Sequence, residues 1–109
     1  MIDITIYQSN DKITRIKSKG HAGYADNGQD IVCAAVSVLM INTFNSVDRF
    51  TFDRLEISSM DEEDGVMDIT FPKEYSHDTK LLLDSLILGL KEITKEYGAS
   101  FISLNFKEV

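Results

Sequence analysis

"GHAGYADNGQDIVCAAVSVLM" runs from Gly20 to Met40. It holds the one Cys of the chain, one of its two His and three of its six Gly. The stretch divides at Asp30. Before it, small and polar residues with the turn-forming pair Asn27-Gly28 predict a loop over His21 to Gln29. After it, a long apolar segment predicts a helix from Ile31 to about Phe50, because Asp is among the best residues for accepting the free N–H groups of a first helical turn. Ile31, Ala35, Val38, Asn42 and Asn45 follow one stripe of that helix, and Cys33, Ser37, Met40 and Phe44 follow another. A helix apolar on nearly every side is expected to be buried on nearly every side, here by a sheet on one face and a second subunit on another.

Upstream of the loop, Ile2, Ile4 and Ile6 alternate with Asp3, Thr5 and Tyr7, the period of a half-buried strand. A turn over Ser9 to Lys12 leads into a second strand, Ile13 to Gly20, which makes the pair a hairpin. Ile13 and Ile16 are three apart and would fall on opposite faces unless a bulge lies between them. Downstream, Leu55 to Ser59 and Val66 to Phe71 read as strands joined by the charged tip Met60 to Gly65, and Pro72 stops the second. Leu82, Leu86, Leu90, Ile93 and Tyr97 mark a helix from about Asp78 to Tyr97, with Gly98 placed to cap its end. Phe101 to Phe106 forms a last strand with Ile102, Leu104 and Phe106 on its apolar face. The order is ββαββαβ. Hairpin-linked strands mixed with two helices predict an α+β fold of two layers, a mostly antiparallel sheet covered by both helices, in a single domain spanning residues 1–109.

Composition narrows the function. Hydrophobic residues make up 43% and charged residues 27% of the chain, an ordinary globular balance. The net charge is −7, with 18 acidic residues against 11 scattered basic ones. Direct nucleic-acid binding, which needs clustered Lys and Arg, is not expected. No signal sequence is legible at Met1 to Thr5, and no apolar run is expected to reach the roughly 20 residues of a membrane span. One Cys excludes an intrachain disulfide, and the cytoplasm is the expected compartment.

The chemistry concentrates around Asp30. With Asp30 as cap, Cys33 is the third helical residue, near the positive end of the helix, where a thiolate is favoured. His21, at the end of a strand, is placed to fold back onto it as a base, and first-turn N–H groups can receive an oxyanion. The plainer reading is that Cys33 is a small buried hydrophobe. Ser37 lies one turn after Cys33 on the same face. Gly20 and Gly23 allow a substrate backbone to approach or simply let the loop turn, and Tyr24 is a candidate pocket residue. The loop from Ala22 to Gln29 is expected to be mobile. His77, between Ser76 and Asp78, reads as helix-capping surroundings. One Cys and two His make no zinc site, Asp61 to Asp64 lacks the spacing of a calcium loop, and no phosphate-cradling motif is present, so neither metal nor cofactor is expected.

The full string resembles the Prp family of bacterial ribosomal-processing cysteine proteases. The matching residues are Gly20-His21-Ala22, then Gly28-Gln29-Asp30-Ile31-Val32-Cys33-Ala34-Ala35-Val36-Ser37, with no departure inside the motif. The resemblance implies a cytoplasmic, homodimeric endopeptidase that removes a short N-terminal extension from large-subunit ribosomal protein number twenty-seven, cutting after an aromatic pair. It implies Cys33 as nucleophile, His21 as base and Asp30 in support. A basic ribosomal substrate suits an acidic enzyme. The alternative is a non-catalytic, ribosome-associated protein-binding module in which Cys33 is only core.

Overall fold

The alternation of the first residues becomes strand β1 (Ile2–Ser9), with Ile2, Ile4 and Ile6 buried and Asp3 exposed. The computed structural model describes residues 1–23, 30–61 and 65–109. After β1 come β2 (Lys12–Lys19), α1 (Ile31–Phe50), β3 (Glu56–Asp61), β4 (Val66–Thr70), α2 (His77–Tyr97) and β5 (Ile102–Glu108). This is the ββαββαβ order expected. The strands form one five-stranded sheet in spatial order β3-β4-β2-β1-β5. Three neighbouring pairs are antiparallel, and β1 with β5 is parallel. The sheet is therefore mixed with antiparallel pairing predominant, and the two-layer α+β architecture holds.

The bulge anticipated in β2 is present. Tyr7 faces Arg15 and Gln8 faces Ile13, which leaves Thr14 as the extra residue. It re-phases the strand, so Ile13 and Ile16 both reach the core. The Thr14 hydroxyl donates to the Tyr7 carbonyl at 3.3 Å, and its own carbonyl accepts from the Phe71 amide at 2.9 Å. On the opposite face of the sheet, the Arg15 Nε donates to Asp68 Oδ1 at 2.8 Å while Nη2 meets Oδ2. Arg15 also lies over the Tyr7 ring, 5.0 Å from its centroid. The paired guanidinium holds the Asp68 carboxyl below the usual carboxylate range.

Which face of α1 is buried differs from expectation. Val32, Val36, Met40, Thr43, Phe44 and Val47 pack inward, whereas Ile31 and Val38 of the first expected stripe are 49% and 66% exposed. An all-round apolar pattern marks no inner face by itself, and the sheet covers only one. By length and composition alone α1 could cross a bilayer, contrary to the expectation that no run is long enough; the fold instead uses its inner face against the sheet. Gly89 of α2 packs against Leu39 of α1, where an added Cβ would lie 2.8 Å from a Leu39 methyl carbon. In α2 the most deeply buried apolar residues are Leu83, Leu86 and Leu90, with Leu82 only half-buried.

Strand ends moved by one to three residues. β3 begins after Leu55 and continues to Asp61, and β5 continues through Lys107 and Glu108. Both are edge strands, so backbone pairing rather than burial sets their length. Phe106, expected on the apolar face, is 45% exposed and lies beneath Lys91, whose Nζ is 5.4 Å from the ring centroid.

The helix ends are joined by a polar knot. Ser76 caps α2 by accepting from the Thr79 amide at 3.3 Å. Asp53, in the α1–β3 connection, accepts from the Ser76 amide and hydroxyl at 3.0 and 2.7 Å and from the Thr79 hydroxyl at 2.5 Å. These donors, Thr79 foremost, lower the Asp53 pKa.

Asp53 and Asp68 both have folded pKa values below the ordinary 3.8. Their stabilisation is complete above that value and is lost as pH falls through the folded values. The urea midpoint should therefore be flat from pH 7 to about pH 5 and fall below about pH 4. Asp68→Asn should lower it at pH 7 and flatten the acid decline, and an equally steep decline in that variant would rule out the Arg15 pair as its source.

Candidate active site

The site is built where β2 ends and α1 begins. Asp30 caps α1, its Oδ1 accepting from the amides of Val32 and Cys33 at 3.0 Å each. The Asp30 carbonyl accepts from Ala34 at 3.1 Å and starts the helical ladder. This cap fixes Cys33 as the third helical residue, half-buried. β2 leads through Gly20 to His21, which is exposed, and to Ala22, which is buried. The Ala22 amide donates to Cys33 Sγ at 3.1 Å. The residue after the His is thus tied directly to the sulfur.

Two glycines are required by geometry. Gly20 has φ +99°, and a Cβ there would sit 2.5 Å from the Met1 carbonyl oxygen. Gly65, at φ +63° just before β4, approaches so closely that its Cβ would lie 2.5 Å from the Gly20 oxygen and 3.2 Å from His21 Cε1. The Gly20 amide donates to the Gly65 carbonyl at 3.1 Å. The β3–β4 unit is thereby joined to the segment carrying His21.

Between these elements lies an open cavity of about 300 Å³. His21, Cys33 and Asp30 line it together with Gly20 and Ser37. Gly23 has φ +73° with open space around it and does not line the cavity. Tyr24, and the loop expected to be mobile beyond Gly23, lie outside the described residues. The sequence reading missed the wall formed by Met60, Asp61, Gly65, Val66 and Met67. The Gly at 65 was the available signal, since a glycine ending a charged tip marks a turn, but nothing local indicates that this turn returns to Cys33.

Two electrostatic expectations are corrected. The Cys33 thiol is not depressed. Burial pushes its pKa up, the Ala22 N–H partly offsets this, and the nearby Asp30 carboxylate raises it further. A helix end attracts an anion, but here a carboxylate already occupies it. For the same reason the Val32 and Cys33 amides are committed to Asp30, and Ala34 to the ladder, so these first-turn groups are not available to an oxyanion.

The family model for cysteine protease Prp matches residues 1–102. The chain belongs to the Prp family of cysteine proteases. It is 30% identical over 106 residues to the ribosomal processing cysteine protease Prp of Staphylococcus aureus, covering 97% of each chain. It is 33% identical over 103 residues to that of Bacillus subtilis, covering 89% of this chain and 90% of the other. The crystal structure of an essential ribosomal processing protease Prp from S. aureus, in complex with a covalently linked product peptide, superposes with a TM-score of 0.89 at 31% identity, covering 98% of this chain and 100% of that one. Its five-stranded, two-helix ββαββαβ arrangement is the Prp fold, and the protein is a cysteine protease.

Because burial and Asp30 both raise the thiol pKa, alkylation of Cys33 by iodoacetamide should climb with pH to a midpoint above the ordinary thiol range of about 8.5. Asp30→Asn keeps a good capping residue but removes the charge, so the midpoint should move down while thermal stability changes little. A wild-type midpoint below pH 8 would contradict the direction given.

Proposed function

We propose that this chain is a cytoplasmic cysteine endopeptidase that removes the N-terminal extension of large-subunit ribosomal protein number twenty-seven, using Cys33 as nucleophile and His21 as base. The observation that carries this reading is the shared cavity. His21 and Cys33 face one solvent-open space, and the Ala22 N–H is aimed at the sulfur. Family membership extends it to a ribosomal protein precursor, as the names of the S. aureus and B. subtilis relatives indicate. A non-catalytic, ribosome-associated module is disfavoured by that membership and by the position of the thiol on the cavity wall.

The raised thiol pKa sets the order of events. In the peptide-free protein the sulfur is held as a thiol, so His21 removes its proton as Sγ attacks the scissile carbonyl carbon. The new S–C bond gives a tetrahedral anion. The C–N bond then breaks, the proton passes from His21 to the leaving amine, and a thioester remains on Cys33. Water, deprotonated by His21, attacks that thioester, releases the acid product and returns the thiol. The Ala22 N–H favours the anionic sulfur during the first step. Asp30 acts through the helix it caps, holding Sγ in register with that amide. No metal or cofactor enters this scheme.

The negative charge of −7 suits a basic substrate and gives direct nucleic-acid binding no support. A homodimer is the proposed working form, joined through the uncovered side of α1, where Ile31 and Val38 are exposed.

Incubating the protein with the purified precursor and mapping the new N-terminus by mass spectrometry tests the activity. Cys33→Ser should lower cleavage about a thousandfold or more, and His21→Ala about a hundredfold or more, with both proteins still folded. Cleavage unchanged in Cys33→Ser would eliminate the proposed chemistry. For the assembly, light scattering at micromolar concentration should give twice the 12.3 kDa chain mass, and Val38→Asp should return it to the single chain. A wild-type protein of single-chain mass would exclude the dimer.

A further inference from the structure

The segment carrying His21 is held from both sides by backbone. Ser18 faces Met67 in the β2–β4 ladder. Two residues further on, Gly20 meets Gly65, whose carbonyl accepts from the Gly20 amide at 3.1 Å. Neither residue has a side chain, so the two chains close up there. A Cβ on Gly65 would lie 2.5 Å from the Gly20 oxygen, 3.1 Å from the Gly20 carbonyl carbon and 3.2 Å from His21 Cε1. The first two atoms belong to the peptide plane that enters His21. The third is the ring carbon between the two imidazole nitrogens. Backbone and ring of His21 therefore rest on one α-carbon. On the other side of Gly20, a Cβ would lie 2.5 Å from the Met1 carbonyl oxygen, so this stretch is clamped. After His21, the Ala22 amide donates to Cys33 Sγ.

We infer that Gly65 is a positioning residue for the base: its bare α-carbon is the surface that holds the His21 imidazole in the cavity it shares with Cys33. The inference rests on the reading of His21 as base. A proton passes between nucleophile and base only within hydrogen-bond reach, so a ring free to swing costs rate rather than peptide binding. His21 is exposed, and an exposed side chain samples several staggered rotamers unless a neighbour selects one. Gly65 supplies that neighbour from the head of β4, and its bond to Gly20 keeps wall and ring in a common frame. Any side chain at this position would displace the ring and the peptide before it together. Gly65 has φ +63°, a region that Asn enters more readily than most residues. The need for a positive φ and the need for a bare α-carbon are therefore separable.

Magnetic resonance tests the contact directly. Wild-type protein labelled with carbon-13 at His Cε1 should show cross-relaxation between the His21 Hε1 proton and the Gly65 α protons, with His77, the other His of the chain, as reference. Absence of that cross-peak would overturn the inference without recourse to a variant. In cleavage of the purified precursor, Gly65→Ala and Gly65→Asn should each lower kcat about tenfold or more while KM changes less than about threefold. Gly98→Ala, also at positive φ but with open space around it, should stay within about twofold of wild type. Circular dichroism checks that the variants fold. In a His21→Ala background, Gly65→Ala should cost less than about twofold, because a residue that acts through the ring has nothing left to position. An equal loss in both backgrounds would mark a structural role and overturn the inference. Full activity in Gly65→Asn would reduce the glycine to a requirement of the turn, and overturn it too. If His21→Ala itself cleaves like the wild type, the reading of His21 as base fails, and the role of Gly65 with it.

Discussion

The Asp30 carboxylate at the head of α1 is the interaction on which the site depends. Two hydrogen bonds of 3.0 Å fix where the helix starts. Once the start is fixed, the 3.6-residue period places Cys33 beside the returning Ala22 amide, Ser37 one turn on and Ile41 another turn beyond. The same carboxylate has a second effect of opposite sense. Burial pushes the thiol pKa up, and Asp30, which uses the helix-end donors and adds a negative charge near the sulfur, raises it further. A single residue thus provides positional order and adds to the restraint on the thiol.

Much of the fold was legible because local signals agreed with one another. Asp30 and the apolar run after it gave α1 its bounds, and Ser76 and Gly98 bracket α2 closely. The odd spacing of Ile13 and Ile16 foretold the bulge at Thr14. Legibility failed where an outcome depends on non-local neighbours. Nothing local to Phe101 to Phe106 says that this strand runs parallel to β1. The all-round apolarity of α1 does not say that Val32 and Val36 turn inward while Ile31 and Val38 do not. The edge strand β3 carries exposed residues along most of its length, so it has little alternation to read.

The site shows the same division. Gly20, His21, Asp30, Cys33 and Ser37 were named from one continuous stretch, and all five line the cavity. The opposing wall comes from Met60, Asp61, Gly65, Val66 and Met67, in a stretch whose sequence carries a run of acidic residues and reads as a solvated hairpin tip. The pairing of β4 with β2 and the backbone contact between Gly65 and Gly20 bring these residues to the site. The thiol's electrostatics were misjudged because burial was not weighed against the thiolate and because a helix end was counted as free when its own cap had filled it.

The parallel pairing of β1 with β5 has a consequence for the order of assembly. Ile2 pairs with Ile102, so β1 is flanked by a strand far from it in sequence. Ile2 also forms part of the cavity lining. Until β5 docks, one border of β1 is unfilled and Ile2 lacks its neighbour in that lining. Contacts this distant in sequence close late in folding, so the hollow around the sulfur takes its final shape among the last events of folding.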